Sequence, residues 1–160
     1  MDDWKDFWNR NKTLIVQVVL ALLAGGLASL LGGDTADLYQ RLTAPPLAPP
    51  GWVFPVVWTV LYILMGLAAG LVARSEDMDR DRALFFYYVQ LGMNVLWPLV
   101  FFRFEWITFG AVWLLLLVVA VGITQRQFRT VNTAAGWLLV PYLVWCLFAL
   151  YLNVGFAVLN

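Results

Sequence analysis

The twenty charged side chains of this 160-residue chain fall in short clusters, leaving residues 13–33, 42–73, 83–102, 106–125 and 130–160 without any charge. No other feature constrains the fold as strongly. A helix crosses the roughly 30 Å hydrocarbon core of a bilayer with about 20 apolar residues, so each stretch holds one crossing and is too short for two. In lipid, every backbone group must be paired, which leaves helices or a closed barrel. Runs such as VWLLLLVVAVGI are continuously apolar rather than alternating with period two, and this excludes a barrel. The expected fold is an all-α integral membrane protein, a five-transmembrane-helix bundle forming a single domain over 1–160. Its helices are expected near 13–31, 51–73, 83–102, 106–124 and 134–157.

Composition narrows the function classes. The hydrophobic fraction is 62 % and the charged fraction 12 %, against about 25 % charged in soluble domains, and the mean hydropathy is +0.78. A soluble enzyme and a disordered chain are both excluded. The net charge is zero, so no basic surface argues for nucleic acid. There is no histidine and one cysteine, Cys146. That removes the usual general base, metal ligand and axial haem ligand, and any disulfide framework. No metal site is expected and no cofactor is required. The first apolar run exceeds a usual signal-peptide core, and Asp2, Asp3 and Asp6 offset its basic flank, so it is expected to be a retained helix.

Basic residues in the loops set the orientation. Eight (Lys5, Arg10, Lys12, Arg74, Arg80, Arg82, Arg126 and Arg129) fall on one side and two (Arg41 and Arg103) on the other. The N-terminus is thus expected in the cytoplasm and the C-terminus outside. Trp4, Trp8, Trp52, Trp106 and Trp137 mark span ends, where indole rings favour the interface. The loop over 32–50 ends in APPLAPPGW. Its prolines favour a stiff, extended path, read here as a lid over the outer end or, more plainly, a surface connector.

Four tryptophans remain inside the spans (Trp58, Trp97, Trp113 and Trp145), accompanied by buried polar groups. Tyr87, Gln90, Asn94, Trp97 and Phe101 recur at steps of 3, 4, 3 and 4, which is one helix face. Tyr142, Trp145, Ala149 and Asn153 step by 3, 4 and 4 on another, and Trp58 and Tyr62 are four apart on a third. An amide in hydrocarbon costs several kcal/mol unless paired, so these faces turn toward protein or a cavity. They fall in the outer half of the bundle, beneath the proline run, as an apolar pocket with a few polar groups would. The plainer alternative is interhelical hydrogen bonding and core filling. Gly66 and Gly70, with the small residues Ala24, Gly25, Gly26 and Ala28, permit close packing within the bundle or between protomers. Cys146 is expected to pack in the core.

The runs APPGWVFPVVWTVLYILMGLAAG (48–70), YVQLGMNVLWPLVFF (88–102) and LLVPYLVWCLFALYLN (138–153) resemble the translocator protein family. Its bacterial members are also called tryptophan-rich sensory proteins, and its mitochondrial members peripheral benzodiazepine receptors. The resemblance implies a five-helix bundle, often a homodimer, in a bacterial cell membrane for a member of this type. Its ligands would be porphyrins such as protoporphyrin IX, haem, sterols and isoquinoline- or benzodiazepine-type drugs. Trp58 and Trp145 look like the family's two pocket tryptophans, tied in bacterial members to light-dependent breakdown of protoporphyrin. Gln90, Asn94 and Ala149 match pocket positions of its third and fifth helices. Leu47 stands where the family's loop usually carries tryptophan, and nothing basic follows Tyr151 as the sterol pattern would require.

Three functions are therefore open. One is a receptor, sensor or transporter-like protein for tetrapyrroles, whose flat ring stacks on indoles while amides and Arg41 meet its propionates. Another is an enzyme that degrades protoporphyrin in light through Trp58 and Trp145, with no conventional catalytic constellation. The third is a regulatory or structural membrane protein with a lipid- or sterol-filled pocket.

Overall fold

A computed structural model describes residues 2–160. The helices are α1 (Asp2–Gly32), α2 (Thr35–Arg41), α3 (Val53–Ala73), α4 (Arg80–Pro98), α5 (Ile107–Val131), α6 (Thr133–Leu138) and α7 (Val140–Leu159), with a π-helical turn over Leu99–Arg103 that prolongs α4. Five helical segments are long and apolar enough to cross a membrane: Trp4–Gly32, Val53–Ala73, Arg80–Arg103, Ile107–Val131 and Thr133–Leu159. The five expected spans are present in order, and no strand occurs among the described residues.

The ends of the helices depart from expectation, and the causes are local. α1 and α5 run on through charged residues, Lys5 to Lys12 in one and Arg126 and Arg129 in the other. Charge marks where a chain leaves hydrocarbon, not where its helix stops. The fourth loop, expected to be about ten residues, shrinks to Asn132. Its backbone is extended (φ −150°, ψ 114°), and its side-chain oxygen accepts from Ala135 N at 2.9 Å, which caps α6. The fifth span is broken at Leu139, two residues before Pro141, whose missing N–H suits the first turn of α7. Pro98 cannot donate to Asn94 O and its ring crowds that carbonyl; the chain beyond it widens, with Phe104 N donating to Leu99 O at 3.0 Å.

Glycines bring α1 and α3 together, antiparallel. A Cβ on Gly70 would stand 2.8 Å from Leu14 Cα, and one on Gly66 would stand 2.8 Å from Val18 N. The Gly66/Gly70 pair, open between two uses in the sequence, is spent inside the bundle. α1 also touches α4, and α5 touches α4 and α7. α3 also lies close to α6 and meets α7 through ring contacts, Phe54 with Trp145 and Trp58 with Tyr142. Leu61, Met65, Leu114, Leu117, Val121 and Cys146 are buried in the shared core.

The long connection between α1 and α3 carries α2, capped by Asp34 Oδ1 accepting from Asp37 N at 3.1 Å. The proline run follows and is tied down at several points. Tyr39 Oη donates to Pro49 O at 2.6 Å and Tyr151 Oη to Pro46 O at 2.7 Å. Asn160 accepts from Thr43 N at 2.8 Å and donates to Thr43 O at 3.0 Å. Desolvation holds the Tyr39 phenol above its ordinary pKa, which keeps it a neutral donor.

Candidate functional site

The polar residues read from helical spacing meet where α3, α4 and α7 face one another. Tyr62 of α3 donates to Asn94 Oδ1 at 2.5 Å, and Asn94 Nδ2 donates to Tyr142 Oη of α7 at 2.8 Å. Tyr142 donates in turn to Gln90 Oε1 at 2.7 Å. All four side chains are buried. A directed chain of three hydrogen bonds thus links three helices and pairs the Asn94 amide fully, while Gln90 Nε2 stays buried without a partner.

Trp58 lies against this network. Its ring centroid is 5.8 Å from that of Tyr62 and 6.2 Å from that of Tyr142, the latter edge to face. Between the network and the proline run stands a series of rings: Tyr39, Phe54, Trp145, Phe148 and Tyr151, with successive centroids 5.4, 6.0, 5.5 and 6.2 Å apart. Trp145 and Trp58 are both half-buried. The Trp145 ring N–H is buried and has no hydrogen-bond partner. Ala149, one turn further along α7, is buried and keeps that face small.

Other sequence-read residues are placed differently. Trp97 and Phe101 stack at 5.3 Å; Phe101 belongs to a second cluster with Leu38, Leu152 and Phe156, and Trp97 packs against both that cluster and the main core. Trp97 Nε1 donates to Asn153 Oδ1 at 3.2 Å, and Asn153 Nδ2 donates to Ile107 O at 3.3 Å. The α4 stripe is one face, but it serves two sites: Gln90 and Asn94 bond Tyr142, whereas Trp97 bonds Asn153, about three turns further along α7. Tyr87, deeper on the stripe, packs on Phe128 at 5.5 Å, and its buried hydroxyl has no partner. Leu47 sits at the tip of the proline run, 81 % exposed with φ +66°. Arg41, read as a partner for propionates, is instead engaged by Glu105 and Asp37, both at 2.8 Å, and these bonds raise its pKa.

The expected convergence of three faces is found, but the side chains there interlock. A cleft of about 440 Å³ opens elsewhere, between the start of α5 and the end of α7, lined by Trp106, Phe109, Phe156 and Asn160 among others. At the convergence itself the rings of α3 and α7 are in contact, Phe54 with Trp145 and Trp58 with Tyr142. The sequence reading missed Phe54 and Tyr39. Phe54 stands four residues before Trp58, as Trp58 stands before Tyr62, and that repeat was the available signal.

Comparison with known proteins agrees with the fold. The TspO/MBR family profile matches residues 15–159. The "Tryptophan-rich sensory protein" of Cereibacter sphaeroides is 41 % identical over 117 residues, 73 % of each chain. The "Tryptophan-rich protein TspO" of Chlorobaculum tepidum is 34 % identical over 151 residues, 92 % of this chain and 96 % of that one. The human "Translocator protein" is 35 % identical over 124 residues, 76 % of this chain and 73 % of its own.

Proposed function

The chain belongs to the TspO/MBR family of membrane proteins, and from that premise we propose that it is a receptor, sensor or transporter-like protein for tetrapyrroles. Protoporphyrin IX is its first ligand, with haem and other flat hydrophobic molecules behind it. The observation that carries the reading is the pair Trp58 and Trp145, half-buried on facing helices beneath the proline run, one with an unused N–H. A flat conjugated ring entering between α3 and α7 exchanges ring–ring contacts within the protein for contacts with its own faces. The Trp145 N–H then offers a donor to a carboxylate or carbonyl, a role Arg41 does not fill while its ion pairs persist.

The detergent-purified protein, titrated in the dark with protoporphyrin IX and with haem, is expected to show a saturable shift of the porphyrin's main absorption band. Metal-free porphyrin should bind at least as tightly, since no histidine is present to ligate iron. A response that never saturates would overturn the reading and move a lipid- or sterol-filled pocket to first place.

A second reading is favoured by the ring contacts of Trp58 with Tyr62 and Tyr142. An excited porphyrin could take an electron from an indole held there, making the protein a light-dependent protoporphyrin-degrading enzyme. Bleaching of the bound ligand would then need both light and oxygen, and would fail in a Trp58→Phe, Trp145→Phe variant. Bleaching at the same rate in that variant would exclude this enzyme.

The excess of basic residues in alternate loops supports an N-terminus in the cytoplasm of a bacterial cell. A membrane-impermeant thiol reagent should label a Ser75→Cys variant only from that side; labelling from outside would reverse the orientation. A homodimer would pair lipid-facing surfaces other than the Gly66/Gly70 patch, which α1 covers. A monomer mass for the detergent complex would rule this out.

A further inference from the structure

Gly25 of α1 differs from the glycines that let backbones approach. A Cβ placed there would stand 2.6 Å from both Cδ2 and Cε2 of Tyr62 and 3.2 Å from its Cγ, so what fills the missing side chain is the face of a buried ring. We propose that Gly25 is a positioning residue: a notch in α1 that seats Tyr62 and so sets the depth of the site beneath Trp58. Its geometry stands alone, and its consequence for ligands rests on the tetrapyrrole reading.

Non-bonded carbons settle near 3.5–4.0 Å, so an alanine at this position drives the ring away from α1 by about 1 Å. The ring's freedom to move is small, because Trp58 flanks it with centroids 5.8 Å apart and its hydroxyl is held by Asn94 Oδ1. A hydrogen bond stretched by that much is largely lost. Asn94 then loses its donor while still bonding Tyr142, and Tyr62 intrudes on the space below Trp58. Specificity would change through a residue that offers a ligand no side chain at all. The adjacent Gly26 is a matched control, since a Cβ there meets nothing within 4 Å. Alanine favours a helix over glycine at both positions, so loss of helix does not confound the comparison.

The test places 3-fluorotyrosine at position 62 and records its ¹⁹F resonance in ligand-free wild type, Gly25→Ala and Gly26→Ala. The resonance should move in Gly25→Ala and stay in Gly26→Ala. Protoporphyrin IX affinity, titrated in parallel, should fall about fivefold or more in Gly25→Ala, as the displaced Tyr62 ring takes up space below Trp58, and hold in Gly26→Ala. With Tyr62→Ala in the background, Gly25→Ala should have no further effect, because the ring it displaces is gone. An unmoved resonance in Gly25→Ala overturns the proposal, as does an equal loss of affinity with and without the Tyr62 ring. Were no variant, wild type included, to bind porphyrin, the tetrapyrrole reading would fail, while the ¹⁹F comparison would still decide what Gly25 does.

Discussion

Asn94 is the side chain through which the polar site coheres, since it accepts from Tyr62 and donates to Tyr142. Asn94→Leu strands the buried Tyr62 hydroxyl and removes a donor from Tyr142, which still bonds Gln90 Oε1, and an unpaired buried group costs about 1–3 kcal/mol. Interhelical bonds in membranes tend toward the low end, at about 0.6 kcal/mol on average, so a loss of about 1–2 kcal/mol is expected. Tyr87→Phe removes a hydroxyl that has no partner and should be neutral or slightly stabilising. Thermal unfolding of both variants in one detergent checks the contrast, and an equal loss in the two would contradict it. The same chemistry explains why Tyr62, Gln90, Asn94 and Tyr142 were legible in the sequence. Polar groups in hydrocarbon must find one another, and helical spacing says on which face. Phe54 escaped because an aromatic hydrocarbon in an apolar run raises no such demand.

At the scale of elements, the spans were legible because lipid imposes length and apolarity on them, whereas their ends obey other rules. Asn132 ends α5 through its own side chain, and Pro98 and Pro141 reshape the helices around them. A count of charges contains none of this. The small residues were visible, but their partners were not, because the sequence does not say which helix lies opposite. The structure separates them: Gly66→Ala forces a Cβ against α1 backbone atoms, Val18 N at 2.8 Å and Gln17 O at 2.9 Å among them, whereas Gly92→Ala meets nothing within 4 Å. The first should lower the melting temperature clearly. The second should hold or raise it, since alanine gains up to about 1 kcal/mol over glycine in a helix. Equal melting temperatures would mean that α1 and α3 are not pressed together at this point.

For the whole molecule, the candidate site under the proline run lies where ring contacts join α3 to α7, Phe54 with Trp145 and Trp58 with Tyr142. α1, by contrast, is held to α3 by close backbone approach at Gly66 and Gly70. The meeting of the three helix faces was legible from their spacing and depth. The ring contacts across them were not, because the fit of ring against ring is a property of the assembled bundle. A dark titration of the purified protein with protoporphyrin IX, following tryptophan fluorescence on wild type and on the Trp58→Phe, Trp145→Phe variant, decides whether the ligand sits between these two rings. Saturable quenching is expected in wild type, weakening markedly when both rings are replaced. Quenching that saturates identically in the variant would place the ligand elsewhere on the molecule and contradict the assignment of this site.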